Sequence, residues 1–155
     1  MLFRSQVANK TLNFIVRLGG RDAFGSDNDI AIVRIPRVLP RVIRVPAELS
    51  HGTQSFVLLS SVIRSHLQEL FPGRQIEAFS QFRLTRDSDI EVDEDDIADL
   101  RQALRSKMST RQFGQSVRLE VVYNCPKDLS DFLLEQFKLP HQSLYQVNEI
   151  GRAHV

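Results

Sequence analysis

The 155 residues carry 20 Lys and Arg against 19 Asp and Glu, a formal net charge of +1, with 42% hydrophobic and 25% charged residues. That is chain enough for one real core with an ordinary globular balance, so neither disorder nor several domains is implied. The even charge argues against a nucleic-acid binder, whose footprint is a strong basic excess, and no apolar run nears the roughly 18 to 20 residues of a spanning helix.

The single cysteine, Cys125, rules out an internal disulfide framework and suits a reducing compartment. It lies between Asn124 and Pro126 at an expected helix start and reads as a partly buried spectator thiol. The N-terminal residues lack the layout of a signal peptide. The expected location is the cytoplasm, with at most a peripheral association with a membrane.

Leu12, Phe14, Val16 and Leu18 alternate with Asn13, Ile15 and Arg17, which predicts a first strand. Turn residues at Gly19-Gly20 and from Gly25 to Asp29 separate it from Ile30 to Ile35, a near-continuous apolar run that predicts a buried second strand antiparallel to the first. Pro36, Pro40 and Pro46 then cut the chain into short extended pieces, because proline fixes its own φ and pushes the preceding residue toward extended backbone. Arg34, Arg37, Arg41 and Arg44 ride on this segment. Such a ribbon can follow a polyanion, each guanidinium meeting anionic oxygens. The commoner role for charges there is a solvated edge that resists aggregation.

Phe56 to Leu59 predicts a short strand, and Ser60 or Ser61 can cap a helix with Ile63, Leu67 and Leu70 inward and Phe71-Pro72-Gly73 as its stop. His66 on that helix reads as a satisfied, semi-buried histidine, since no second ligand sits at metal spacing. Further on, Asp93 can cap a helix from Glu94 to Met108 with Ile97, Leu100, Leu104 and Met108 inward. Its acidic first turn is explained by the helix dipole without a metal ion. Val117, Leu119, Val121 and Tyr123 predict another strand. Pro126 opens a helix with Leu129, Phe132, Leu133 and Phe137 inward, and Leu144 to Val147 forms a last short strand. The order predicts an α+β domain: a mixed, mainly antiparallel sheet with about three helices packed on it. Neither a P-loop nor a dinucleotide fingerprint is present.

The densest polar chemistry lies between these elements, from Ser80 to Asp89. Ile76, Ala78, Phe82 and Leu84 alternate with Gln75, Glu77, Gln81 and Arg83 as a strand, and Arg86-Asp87-Ser88-Asp89 is its turn-like exit. Arg83 or Arg86 could form an anion fork braced by Asp87 or Asp89. The commoner alternative is a structural Arg/Asp pair that pins the turn or a domain contact.

Ser80 to Asp89, with the acidic run Val92 to Asp96 and Leu100 to Arg105 behind it, resembles the middle domain of bacterial polyphosphate kinase. Leu12 to Leu18, Ile35 to Arg44, and Asn124-Cys125-Pro126 through Leu133 to Phe137 resemble it in the same order, so the likeness runs from near Asn9 to near Asn148. It implies residues 1–148 as that middle domain, truncated on its N-terminal side. It further implies a parent enzyme that reversibly transfers the terminal phosphoryl group of ATP to a growing polyphosphate chain through a phosphohistidine, with ATP and magnesium as cofactors, and that forms a homo-oligomer.

The middle domain's partners are then its own N-terminal and C-terminal catalytic domains, a second subunit and polyphosphate, but no nucleic acid. The resemblance places the phosphohistidine and the magnesium-binding arginines in the C-terminal domains and the adenine contact in the N-terminal helical domain. None of His51, His66, His141 and His154 sits in the phosphohistidine motif, so no catalytic, cofactor-binding or metal-binding residue is carried over. The competing reading is a free-standing, non-enzymatic anion-binding or protein-interaction module.

The pattern stops after Asn148, and Ile150 to Val155 match what the opening of a common sequencing adapter encodes in one reading frame. Residues 149–155 are therefore expected to be a non-native tail with no reason to pack on the core.

Overall fold

The computed structural model of the chain describes residues 7–20, 29–52, 54–87, 116–148 and 150. Seven strands form two sheets among them. The larger sheet has the order β2-β1-β5-β6-β7 and the smaller pairs β3 with β4. The strands are β1 (Leu12–Gly19), β2 (Ile30–Arg34), β3 (Val42–Arg44), β4 (Phe56–Leu58), β5 (Gln75–Arg86), β6 (Ser116–Val122) and β7 (Leu144–Val147). The helices are α1 (Leu59–Ser65) and α2 (Lys127–Phe137).

This corrects the expectation of one sheet carrying about three helices: the described residues hold a second, two-stranded sheet and two α-helices. The proline-cut stretch reads as loose extended pieces, but Val42 to Arg44 finds a partner across a loop in Phe56 to Leu58. The helix expected from Glu94 to Met108 lies outside the described residues.

The large sheet is mixed. β1 pairs antiparallel with β2 and with β5, β5 pairs antiparallel with β6, and β6 pairs parallel with β7. A parallel neighbour cannot be reached by a tight turn, and α2 is the crossover that supplies the return. Pro126 occupies the cap position of α2, and Lys138 ends it in a left-handed conformation at φ 54°. The amides of Lys138 and Leu139 donate to the carbonyls of Glu135 and Leu134, closing the last turn before Pro140.

The alternation of β1 and β5 sends side chains to both faces, and both faces are covered. On one, Ile15, Phe82, Leu84, Leu119 and Val121 meet Leu129, Leu133, Leu134 and Phe137 of α2. On the other, Phe14, Val16 and Leu18 meet Ile35, Leu59 and Leu67, under the layer formed by α1 and the small sheet. Phe132, expected inward, is only partly buried, and Leu134 takes the fully inward position.

The α1 region departs from the expected single helix. No side chain caps it, it ends at His66, and Leu67–Leu70 continues as a 3₁₀ turn. The change from 3.6 to about three residues per turn rotates the stripe, so Leu67 is buried while Leu70 is exposed. His66 is exposed rather than semi-buried, its Nδ1 2.9 Å from Glu69 Oε1. Of the residues expected to form a tail only Ile150 is described; it is 6% exposed and belongs to neither core cluster. Among the described residues no helix is long and apolar enough to cross a membrane.

Phe82 lies at the centre of this arrangement, fully buried, its ring 6.4 Å from that of Phe137. Phe82→Ala is expected to destabilise the fold by about 3 to 5 kcal/mol, whereas Val38→Ser at an exposed site should change stability by no more than about 0.5 kcal/mol. Urea unfolding of the two variants checks the contrast, and equal losses would contradict the layered core.

Candidate anion-binding groove

β2 ends at Arg34, after which the Ile35 amide donates to the Leu12 carbonyl at 3.1 Å and the Ile35 side chain is buried. Pinning Ile35 turns Pro36 and Arg37 outward, and the Arg37 guanidinium reaches back to the Asn9 carbonyl. At the far end of the turn the Arg41 carbonyl accepts from the Leu59 amide at 2.8 Å, tying this segment to the start of α1.

These ties leave a groove of about 430 Å³ between the lead-in to β1, the 35–41 segment and the β4–α1 junction. Leu12, Ile35, Leu39, Leu58 and Leu59 line its apolar part, and Lys10, Arg37 and Arg41 its basic part. Thr11 and Ser60 add hydroxyls, and Ile150 also lines it.

The four arginines singled out on this segment are therefore only partly brought together. All four are exposed. Arg37 and Arg41 share the groove, Arg34 stands at the end of β2, and Arg44 lines a separate hollow with Val45, Pro46 and Ser50. Lys10 completes the basic rim and was not visible in the sequence as a site residue. Its signal is the Asn9-Lys10-Thr11 turn: Lys10 has φ 56°, and its amide donates to the Leu84 carbonyl at 2.8 Å.

Arg83 and Arg86 belong to a different structure. In the register of β5 and β6, Arg83 faces Glu120, and its Nε lies 2.5 Å from Glu120 Oε2. Arg118 Nη2 donates to the other oxygen at 3.2 Å, and its guanidinium stacks 3.8 Å over the Tyr145 ring. Glu120 is thus clamped by two guanidiniums with its side chain 8% exposed. Burial pushes its carboxyl upward, but the hydrogen bond and charge of Arg83, joined by Arg118, outweigh this and hold it below the ordinary glutamate value.

Arg86 is buried. Its Nη2 and Nε donate to the Val7 carbonyl at 3.1 and 3.3 Å, its Nη1 donates to Ser116 Oγ at 3.3 Å, and its amide donates to Asn9 Oδ1 at 2.9 Å. Asp87 is exposed just beyond β5, and Asp89 lies outside the described residues. A further buried arginine went unread in the sequence: Arg74 donates to the carbonyls of Leu18, Gly19 and Gly20 at 3.3, 3.1 and 2.7 Å. The one signal for it is its place after the Pro72-Gly73 turn, where Gly73 takes φ 80°.

Burial, together with the charge of Asp128, pushes the Cys125 thiol up despite a hydrogen bond with Ser80 that lowers it, which leaves little thiolate at neutral pH. Among the described residues no three His, Cys, Asp and Glu side chains gather where they could hold a metal ion.

Residues 4–153 match the family model described as "Polyphosphate kinase middle domain". The chain belongs to this family. It is 51% identical over 142 residues to a polyphosphate kinase of Pseudomonas syringae pv. tomato, covering 92% of this chain and 19% of that protein. It is 52% identical over 139 residues to a polyphosphate kinase of Neisseria meningitidis serogroup C, covering 90% of this chain and 20% of the relative. The chain thus spans about one fifth of the length of the curated relatives it matches. Among solved structures it is similar to the polyphosphate kinase of Porphyromonas gingivalis, with a TM-score of 0.64 at 16% identity over 92% of this chain and 19% of that one, a likeness of fold.

The clamp at Glu120 makes a prediction with a sign. The folded carboxyl titrates below the unfolded one, so its contribution to stability is present above about pH 4.3, the ordinary glutamate value, and is lost as the pH falls through the folded value. Glu120→Gln should cost about 3 kcal/mol at pH 7, the low end for a broken buried pair because both arginines keep some contact with water. The variant's stability should also fall less steeply than the parent's on acidification below that point. Denaturant unfolding across pH 3 to 7 checks both, and parallel pH profiles would contradict the clamp.

Proposed function

We propose that the chain is the middle domain of a polyphosphate kinase, an enzyme that reversibly transfers the terminal phosphate of ATP to a growing polyphosphate chain. Within that protein it is the structural piece joining the N-terminal and catalytic domains and contributing contacts between subunits of a homo-oligomer. The observation that carries this reading is the match of residues 4–153 to the family, with about half of the aligned positions identical in relatives roughly five times as long.

The arrangement of polar groups supports a scaffold. Arg74, Arg83 and Arg86 are tied to carbonyls or to Glu120, and Cys125 is held as a thiol, so none is presented as a reacting group. Leu49, Phe56 and Tyr123 are exposed and offer apolar area to neighbouring domains or subunits. The phosphohistidine chemistry, with the ATP and magnesium it uses, belongs on this reading to the remaining four fifths of the enzyme. Phosphoryl transfer needs a nucleophile and charge clamps on the transferring phosphate. Polyphosphate is a partner of the whole enzyme, which works in the cytoplasm.

The purified 155-residue chain is accordingly expected to make no polyphosphate from ATP and magnesium. The assay follows radiolabelled phosphate into acid-insoluble polymer. Synthesis that persists through repeated chromatography and co-elutes with the chain would overturn the assignment of the chemistry to the rest of the enzyme.

A further inference from the structure

The groove beside the arginine turn has a composition that a phosphate chain would not require. Between Arg37 and Arg41 the turn carries Val38 and Leu39, 91% and 47% exposed, and Val42 follows at 54%. Leu39 lines the groove together with Leu12 and Leu58, in the same lining as Lys10, Arg37 and Arg41. A site for a bare polyanion gains nothing from exposed valine and leucine, and phosphate oxygens set against leucines would lose water without gaining partners. Apolar side chains left open beside guanidiniums are what a protein partner covers.

We propose that this groove docks an acidic, apolar-containing peptide segment, its leucine- or isoleucine-like side chains over Leu12, Leu39 and Leu58 and its carboxylates on Lys10, Arg37 and Arg41. Guanidinium forks take carboxylates in two-point contact, which sets the register of the segment. Burying the apolar side chains supplies affinity that salt does not screen, whereas the carboxylate contacts steer the approach and weaken as salt rises. An extended segment laid in the groove would point alternate side chains down and out. The proposal goes beyond the middle-domain reading and stands or falls apart from it, since it names the chemistry of the occupant and not the chain that supplies it.

The test is fluorescence anisotropy on the full chain with a labelled octapeptide of alternating Glu and Leu, a second of alternating Glu and Ser, and inorganic polyphosphate as competitor. The Glu/Leu peptide is expected to bind, and the Glu/Ser peptide to bind at least about tenfold more weakly. Arg41→Glu and Leu39→Ser should each weaken the first peptide by about tenfold with the urea midpoint unchanged. Should either substitution lower that midpoint, amide shift changes on the unaltered chain decide the matter: changes confined to residues 10–12, 35–41 and 58–60 support the groove, and changes elsewhere contradict it. Failure of the Glu/Leu peptide to bind, or equal binding of the two peptides, overturns the proposal. Polyphosphate that displaces the peptide with higher affinity and is indifferent to Leu39→Ser also overturns it, in favour of a polyanion site.

Discussion

Everything in this molecule leans on β5. Its twelve residues pair with β1 along one edge and β6 along the other, and its alternation feeds both core layers. Phe82 and Leu84 point toward α2, and Phe79 meets Phe14 edge to face on the opposite side. A one-residue slip would send each of these to the wrong layer. The Arg83–Glu120 pair lies across the β5–β6 register and favours one alignment, since in a slipped sheet Glu120 would lose the guanidinium that makes its burial tolerable.

That constraint separates two populations of arginine that look alike in the sequence. Arg74, Arg83 and Arg86 project from β5 or its lead-in, where the sheet brings carbonyls or a carboxylate within hydrogen-bond distance, and all three are absorbed into the scaffold. Arg37 and Arg41 project from a turn made by prolines and by Ile35, with solvent on one side and a leucine-lined groove on the other. The same side chain closes a structure in one setting and lines an open groove in the other. The second layer of α1 and the small sheet is what creates the second setting, because it walls the groove against the start of β1.

How much of this could be read from residues follows from the range of each interaction. β1, β5, β6 and α2 carry clean periodicity, and their burial is decided by which face meets the core, so they were legible in Phe14, Val16, Phe82, Leu84, Leu129 and Leu133. The two-stranded sheet was not, because three-residue strands carry too little pattern to show their pairing. The break at His66 was hidden by a hydrophobic spacing that fits either helix type over one turn. At the arginines, residue type pointed to oxygen partners. The partners themselves, Glu120 for Arg83 and the Val7 carbonyl for Arg86, stand 37 and 79 positions away; the β5–β6 register brings the first, and the chain ahead of β1 brings the second. Lys10 joined the groove for the same reason, through a turn fixed by its amide bond to Leu84.

The claim that β5 is the spine, with the small sheet and α1 laid upon it, is tested most directly by native-state hydrogen exchange under increasing denaturant. The amides of Phe14 to Val16 and Ser80 to Leu84 are predicted to exchange only through global unfolding. Those of Val42 to Arg44 and of α1 should open at a clearly lower free energy, as a separate cooperative unit. Exchange of the β5 amides at or below the opening free energy of Val42 to Arg44 would contradict the account.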